Sequence, residues 1–189
     1  CGHCKKLAPD YEKVAETFER EDNVVVANVD ADKHRSLAEK FDVKGFPTIK
    51  FFPAGSSTPV DYNQGRTPAD FITFLNEKGG TARQLGGLPS KGSGLIVGLN
   101  KFAQKFASAA AEEQATLLEQ AEKEVNDLKG SFNKAGKYYM KVMKNIQAKG
   151  ADYAKKELSR LERMMADGKM IGEQLDWLQI RQNILSKFE

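Results

Sequence analysis

Apolar residues alternate between two periodicities in the first eighty positions and settle on one in the rest. The run from Cys1 to Ala15 is rich in helix formers, broken only by Pro9, which removes one helical hydrogen bond and predicts a kink. Asn23–Asp30 contains Val24, Val25, Val26 and Val29 between polar bounds, the pattern of a buried strand of a parallel sheet. Residues 33–41 read as a short helix with Leu37, Ala38 and Phe41 inward. Val43–Phe52 reads as a Gly/Pro turn leading into a strand, and Val60–Tyr62 as a weaker strand paired to it across Pro53–Ser57. A further helix opens with Thr67 as N-cap, Pro68 at the first helical position and Asp70 in the first turn, and turns Phe71, Phe74 and Leu75 inward. Strands alternating with helices predict an α/β layer structure.

Gly79–Gly94 is rich in Gly, Pro and Ser, lacks apolar periodicity and reads as a flexible linker. Everything after it repeats at helical spacing. The stripes are Leu95, Leu99, Phe102, Phe106; Leu118, Ala121, Val125, Leu128; Phe132, Ala135, Tyr139, Val142, Ile146; Ala154, Leu158, Leu161, Met165; and Trp177, Ile180, Ile184, Phe188. The third opens at Ser131 after Gly130, and the fourth closes at Gly168. Five amphipathic stripes joined by short turns predict an all-α five-helix bundle. The expected division is residues 1–79, a linker over 80–94, and 95–189.

Composition narrows the function classes. The net charge of +3 over 189 residues is too weak to argue for nucleic acid, and no apolar run approaches the ~20 residues of a membrane span. Lys134, Lys137, Lys141 and Lys144 share a helix face whose ordinary explanation is solvation. With neither Cys nor His, the second half carries no evident catalytic group.

The chemistry concentrates in the first four residues. Cys1 and Cys4 are the two cysteines of the chain, separated by Gly2 and His3, at the start of a helix. Unpaired N–H groups and the positive end of the helix dipole favour thiolate over thiol there, and the thiolate is the species that attacks disulfides. Cys1 is then the nucleophile and Cys4, one turn further in, the resolving thiol. A protonated His3 imidazole would stabilise the reduced pair and make the disulfide more oxidising, toward about −180 mV rather than the about −270 mV of a reductase. Two other readings stay open on the residues alone. One is half of a zinc site, for which only His3 and His34 remain as donors; the other is a short structural disulfide.

Cys1-Gly2-His3-Cys4-Lys5-Lys6-Leu7-Ala8-Pro9-Asp10-Tyr11-Glu12 resembles the active site of protein disulfide isomerases. The resemblance implies a thioredoxin-like α/β domain, incomplete because the strand, helix and strand expected upstream are missing. It also implies a cis Pro47 beside the active-site sulfurs, with Phe46, Pro47 and Thr48 offering backbone groups to an extended substrate. Gly2, His3 and Arg66 would tune the redox pair, Arg66 by swinging toward the resolving cysteine. The strand before the active site would lie between 24–29 and 48–52, so the chain is expected to be a fragment whose first domain is unstable alone.

The second half resembles the helical C-terminal domain of plant, fungal and slime-mould disulfide isomerases, through Lys137–Met143, Gly150–Tyr153 and Arg181–Leu185. The two resemblances imply a thiol–disulfide oxidoreductase and isomerase of the endoplasmic reticulum lumen. Its expected partners are unfolded or misoxidised secretory proteins, with glutathione or an oxidase as redox partner, and without cofactor, metal, nucleic acid or membrane insertion. The competing expectations are a non-enzymatic chaperone or adaptor working through the helical domain, and a thioredoxin-like reductase. The C-terminal Ser186-Lys187-Phe188-Glu189 does not match a retrieval tetrapeptide of the Lys-Asp-Glu-Leu type.

Overall fold

The computed structural model describes residues 1–189. The chain forms two compact units, Cys1–Leu88 and Pro89–Glu189, each with its own apolar core.

The first unit opens with α1 (Gly2–Phe18), which runs through Pro9. Its apolar positions fall on one side: Val14 and Phe18 are buried, with Leu7 and Tyr11 packed beside them. Thr17 is buried too, its hydroxyl donating to the Lys13 carbonyl at 2.7 Å. Helix α2 (Arg35–Lys40) follows, then β1 (Lys50–Phe51) and β2 (Val60–Asp61). The strands pair antiparallel with Lys50 opposite Asp61 and Phe51 opposite Val60, and Lys50 Nζ meets the Asp61 carboxylate at 2.6 Å. Helix α3 (Pro68–Gly79) packs against α1. Its start is fixed by a capping box: the Thr67 hydroxyl accepts from the Asp70 N–H, and Asp70 accepts from the Thr67 N–H at 2.9 Å. Phe71 is buried, and Tyr62 stacks on it at 4.9 Å.

Two expectations for this unit need correction. Residues 24–30 join no sheet. Val24 is buried and Val26 half-buried while Val25 stands 85% exposed, so side chains alternate as in a strand, but neither β1 nor β2 lies alongside. Periodicity selects an extended segment; only a neighbouring strand makes it part of a sheet. Leu37 is 40% exposed and no residue of α2 is buried, because this six-residue helix has no packing partner for its apolar side. On α3, Phe71 is buried and Phe74 and Leu75 pack against the core as expected, with Ile72 buried beside them.

The segment read as a flexible linker is tied down on both sides of Leu88. Before it, Arg20 and Arg83 both donate to the Gly87 carbonyl, at 2.6 and 2.9 Å, and Arg83 Nε meets Glu21 at 2.6 Å. Asn76 accepts from the Arg83 N–H and donates to its carbonyl. After it, the buried Asn183 amide donates to the carbonyls of Ser90 and Ser93 at 2.9 and 3.0 Å. Small, flexible residues here allow a tight hydrogen-bonded path rather than a loose one.

The second unit is helical throughout: α4 (Val97–Phe106), α5 (Ala111–Asn126), α6 (Gly130–Lys149), α7 (Tyr153–Ala166) and α8 (Glu173–Leu185). Helix α6 packs against the other four and buries Tyr139, Val142, Met143 and Ile146. Gly136 lets α5 come close, since a Cβ there would lie 2.7 Å from Leu128 Cδ1 and 3.0 Å from Val125 Cγ2. The expected five helices are all present, with one departure: Phe132, in the first turn of α6, is 55% exposed.

Candidate active site

Cys1 is the N-cap of α1, its carbonyl accepting the first helical hydrogen bond from the Lys5 N–H at 3.1 Å. Cys4 is three residues on, at the spacing that puts two side chains on one helix face. Both thiols are free; Cys1 is exposed and Cys4 half-buried. Gly2 and His3 are exposed, and a Cβ at Gly2 would meet nothing within 4 Å. The first turn is therefore open to an approaching chain.

The other wall of the site comes from the turn that leads into β1. The Phe46–Pro47 peptide is cis. Three successive carbonyls of this turn are each held by a different donor. Thr48 Oγ1 donates to Gly45 at 2.7 Å, Cys1 Sγ to Phe46 at 3.4 Å, and Arg66 Nη2 to Pro47 at 3.3 Å. The structure thus brings together Cys1, Phe46, Pro47, Thr48 and Arg66, which lie up to 65 positions apart in the sequence. Arg66 reaches the turn carrying Pro47.

Arg66 is positioned from behind by groups that sequence reasoning passed over. The Tyr62 hydroxyl donates to the Gly65 carbonyl at 2.6 Å and pins the loop before Arg66. Gly65 allows the Asp70 carboxylate to approach, since a Cβ would sit 2.2 Å from its oxygen. The Thr67 hydroxyl and N–H hold the Asp70 carboxyl below the usual carboxylate range. Burial, and then the Asp70 charge, push the Tyr62 phenol up. The local signal for this arrangement was the Thr67–Asp70 capping box; nothing in the spacing pointed to Tyr62.

No group of three or more His, Cys, Asp or Glu side chains is gathered where it could hold a metal ion, and His34 lies at the start of α2. No helix is long and apolar enough to cross a membrane.

Residues 1–77 match the thioredoxin family model, and residues 94–188 match that of the endoplasmic reticulum protein ERp29 C-terminal domain. Along its whole length the chain is 47% identical to a probable protein disulfide-isomerase A6 of Medicago sativa and 46% to a protein disulfide isomerase-like 2-2 of Oryza sativa subsp. japonica. It is 37% identical to protein disulfide-isomerase 1 of Dictyostelium discoideum. The chain belongs to the protein disulfide-isomerase family. It spans about half the length of the curated relatives it matches, 51%, 50% and 52% of these three. As a protein disulfide-isomerase family chain it couples a thioredoxin-type α/β unit, here with a two-stranded sheet, to an ERp29-type helical bundle.

Proposed function

We propose that the chain is a thiol–disulfide oxidoreductase and isomerase in which Cys1 is the nucleophile and Cys4 the resolving thiol. The observation that carries the reading is Cys1 Sγ lying 3.4 Å from the Phe46 carbonyl, an exposed cysteine beside the turn that carries the cis Pro47. Relatives named protein disulfide-isomerases support it.

The Cys1 thiolate attacks one sulfur of a substrate disulfide, forming a Cys1–substrate disulfide and releasing the other substrate sulfur as thiolate. Two exits follow. A different cysteine thiolate of the substrate attacks the substrate sulfur of the mixed disulfide and expels Cys1, which leaves the substrate rearranged and the protein reduced. Alternatively the Cys4 thiolate attacks Cys1 Sγ, the substrate departs with both sulfurs reduced, and Cys1 and Cys4 become a disulfide. Run backwards, that exit passes a disulfide to a dithiol substrate, and an oxidised partner such as glutathione disulfide or an oxidase restores the Cys1–Cys4 bond. Phe46, Pro47 and Thr48 hold the substrate backbone, Arg66 steadies their turn, and Gly2 and His3 leave the sulfur accessible. Substrates in this reading are unfolded or misoxidised secretory proteins in the lumen of the endoplasmic reticulum, consistent with the ERp29-type second unit.

Cys1→Ser should abolish disulfide exchange, while Cys4→Ser should accumulate a mixed disulfide visible by mass after alkylation. Turnover by the Cys1→Ser chain would exclude the proposal. A redox titration of the pair should give a potential near about −180 mV, and a value near about −270 mV would indicate a reductase.

A further inference from the structure

Next to the nucleophile's partner Phe46, the first unit has a hollow of about 340 Å³ that this residue also lines. Its apolar wall is Ala31, Ala38, Val43 and Phe46, and its rim carries Asp32, Glu39 and Asp42 against one cation, Arg35. Asp42 is paired with Lys44 at 3.0 Å, which leaves Asp32 and Glu39 as the carboxylates without an ion pair. Phe46 belongs to both places: its carbonyl accepts from Cys1 Sγ, and the residue, 45% exposed, lines the hollow.

We propose that this hollow selects substrates, by taking a lysine or arginine side chain one residue away from the cysteine that Cys1 attacks. The inference rests on the reading of Cys1 as nucleophile. A substrate joined to Cys1 Sγ is anchored a hydrogen-bond length from Phe46, and one residue of extended chain covers at most about 3.6 Å, so the neighbouring side chain arrives at Phe46. A lysine or arginine suits the space on both counts. Its aliphatic stem lies along Ala38, Val43 and Phe46 while its charged end reaches the rim. Asp32 and Glu39 attract that end, and a substrate carboxylate at the same position meets like charge. The pairing takes place at an exposed rim, so the selection is modest in size.

The test compares three disulfide-linked peptides that differ only beside the cysteine: lysine, norleucine or glutamate. With the full chain, kcat/KM for the lysine peptide should exceed that for the glutamate peptide by about threefold to fivefold at low salt, and the ratio should shrink as salt rises. The Asp32→Asn/Glu39→Gln variant should bring the ratio to one while leaving the norleucine peptide's rate unchanged. Glu39→Lys should invert the preference, which a fold-damaging substitution would not do. A ratio of one in the unsubstituted chain, or a ratio that survives in the double variant, overturns the assignment of the hollow and leaves Cys1 chemistry standing. Absence of turnover with all three peptides overturns the disulfide-exchange reading and the hollow together.

Discussion

Arg66 shows how much one side chain's partner matters. Its guanidinium donates to the Pro47 carbonyl, so its removal should loosen the turn that receives substrate rather than change the sulfur chemistry. Arg66→Met is expected to raise KM for a peptide substrate about threefold to fivefold with kcat nearly kept, and Arg66→Lys to recover part of the loss. The pH–rate profile should stay in place; a displaced limb would instead put Arg66 beside a cysteine. In the second unit, Glu157 accepts from Arg160 at 2.8 Å and Arg181 at 2.9 Å and is largely buried. Arg160 first, and then Arg181, hold its carboxyl below the usual carboxylate range of about 4.5 despite that burial. A carboxyl lowered in the folded state contributes stability above its unfolded value, and that contribution is lost as pH falls through the folded value. Denaturant unfolding at pH 7 and near pH 3 should therefore show a smaller acid loss in Glu157→Gln than in the unsubstituted chain. An equal loss in both would mean that the pair contributes nothing.

At the level of elements, ends and crossings decide more than propensity does. The start of α3 depends on the Thr67–Asp70 box, and Thr67→Ala should cost about 1 kcal/mol in denaturant unfolding of the first unit. The same change would also free the Asp70 carboxylate that sits over Gly65, so the Arg66 loop should lose order with it. The α5–α6 crossing depends on Gly136, where Gly136→Ala sets a methyl against Leu128 and Val125. Overpacking of that kind costs about 1–3 kcal/mol, against about 1 kcal/mol gained from alanine's better helix propensity, so a net loss is expected. Thermal melts in which Gly136→Ala is neutral or stabilising would show that the two helices have room to part. The capping box was legible because its partners lie within four residues. The Gly136 contact was not, because a glycine inside a helical run carries no mark of the neighbour that requires it.

Across the whole molecule, the two units differ in how much apolar surface they enclose: twenty buried apolar side chains cluster in the second and six in the first. Burial of that extent governs how far backbone amides open to solvent. In hydrogen exchange, amides of α6 between Tyr138 and Ile146 should be the slowest, and those of 24–30 and α2 among the fastest. Equal protection in both units would contradict this ordering. Local order was settled along the chain itself: helix registers, the Thr67 cap, the Cys1–Cys4 spacing and the stripes through Tyr139 and Ile184 all depend on residues a few positions apart. Partnership was not. Val25 and Leu37 carry the same apolar signal as Val24 and Val14, yet they face solvent because no other element reaches them. The meeting of Cys1, Phe46, Pro47 and Arg66 likewise exists only once the chain has folded. Hydrophobic period and capping are short-range properties that a sequence determines by itself; which strand has a neighbour, which carbonyl a guanidinium finds and which hollow a phenylalanine lines are long-range contacts, decided by the tertiary structure.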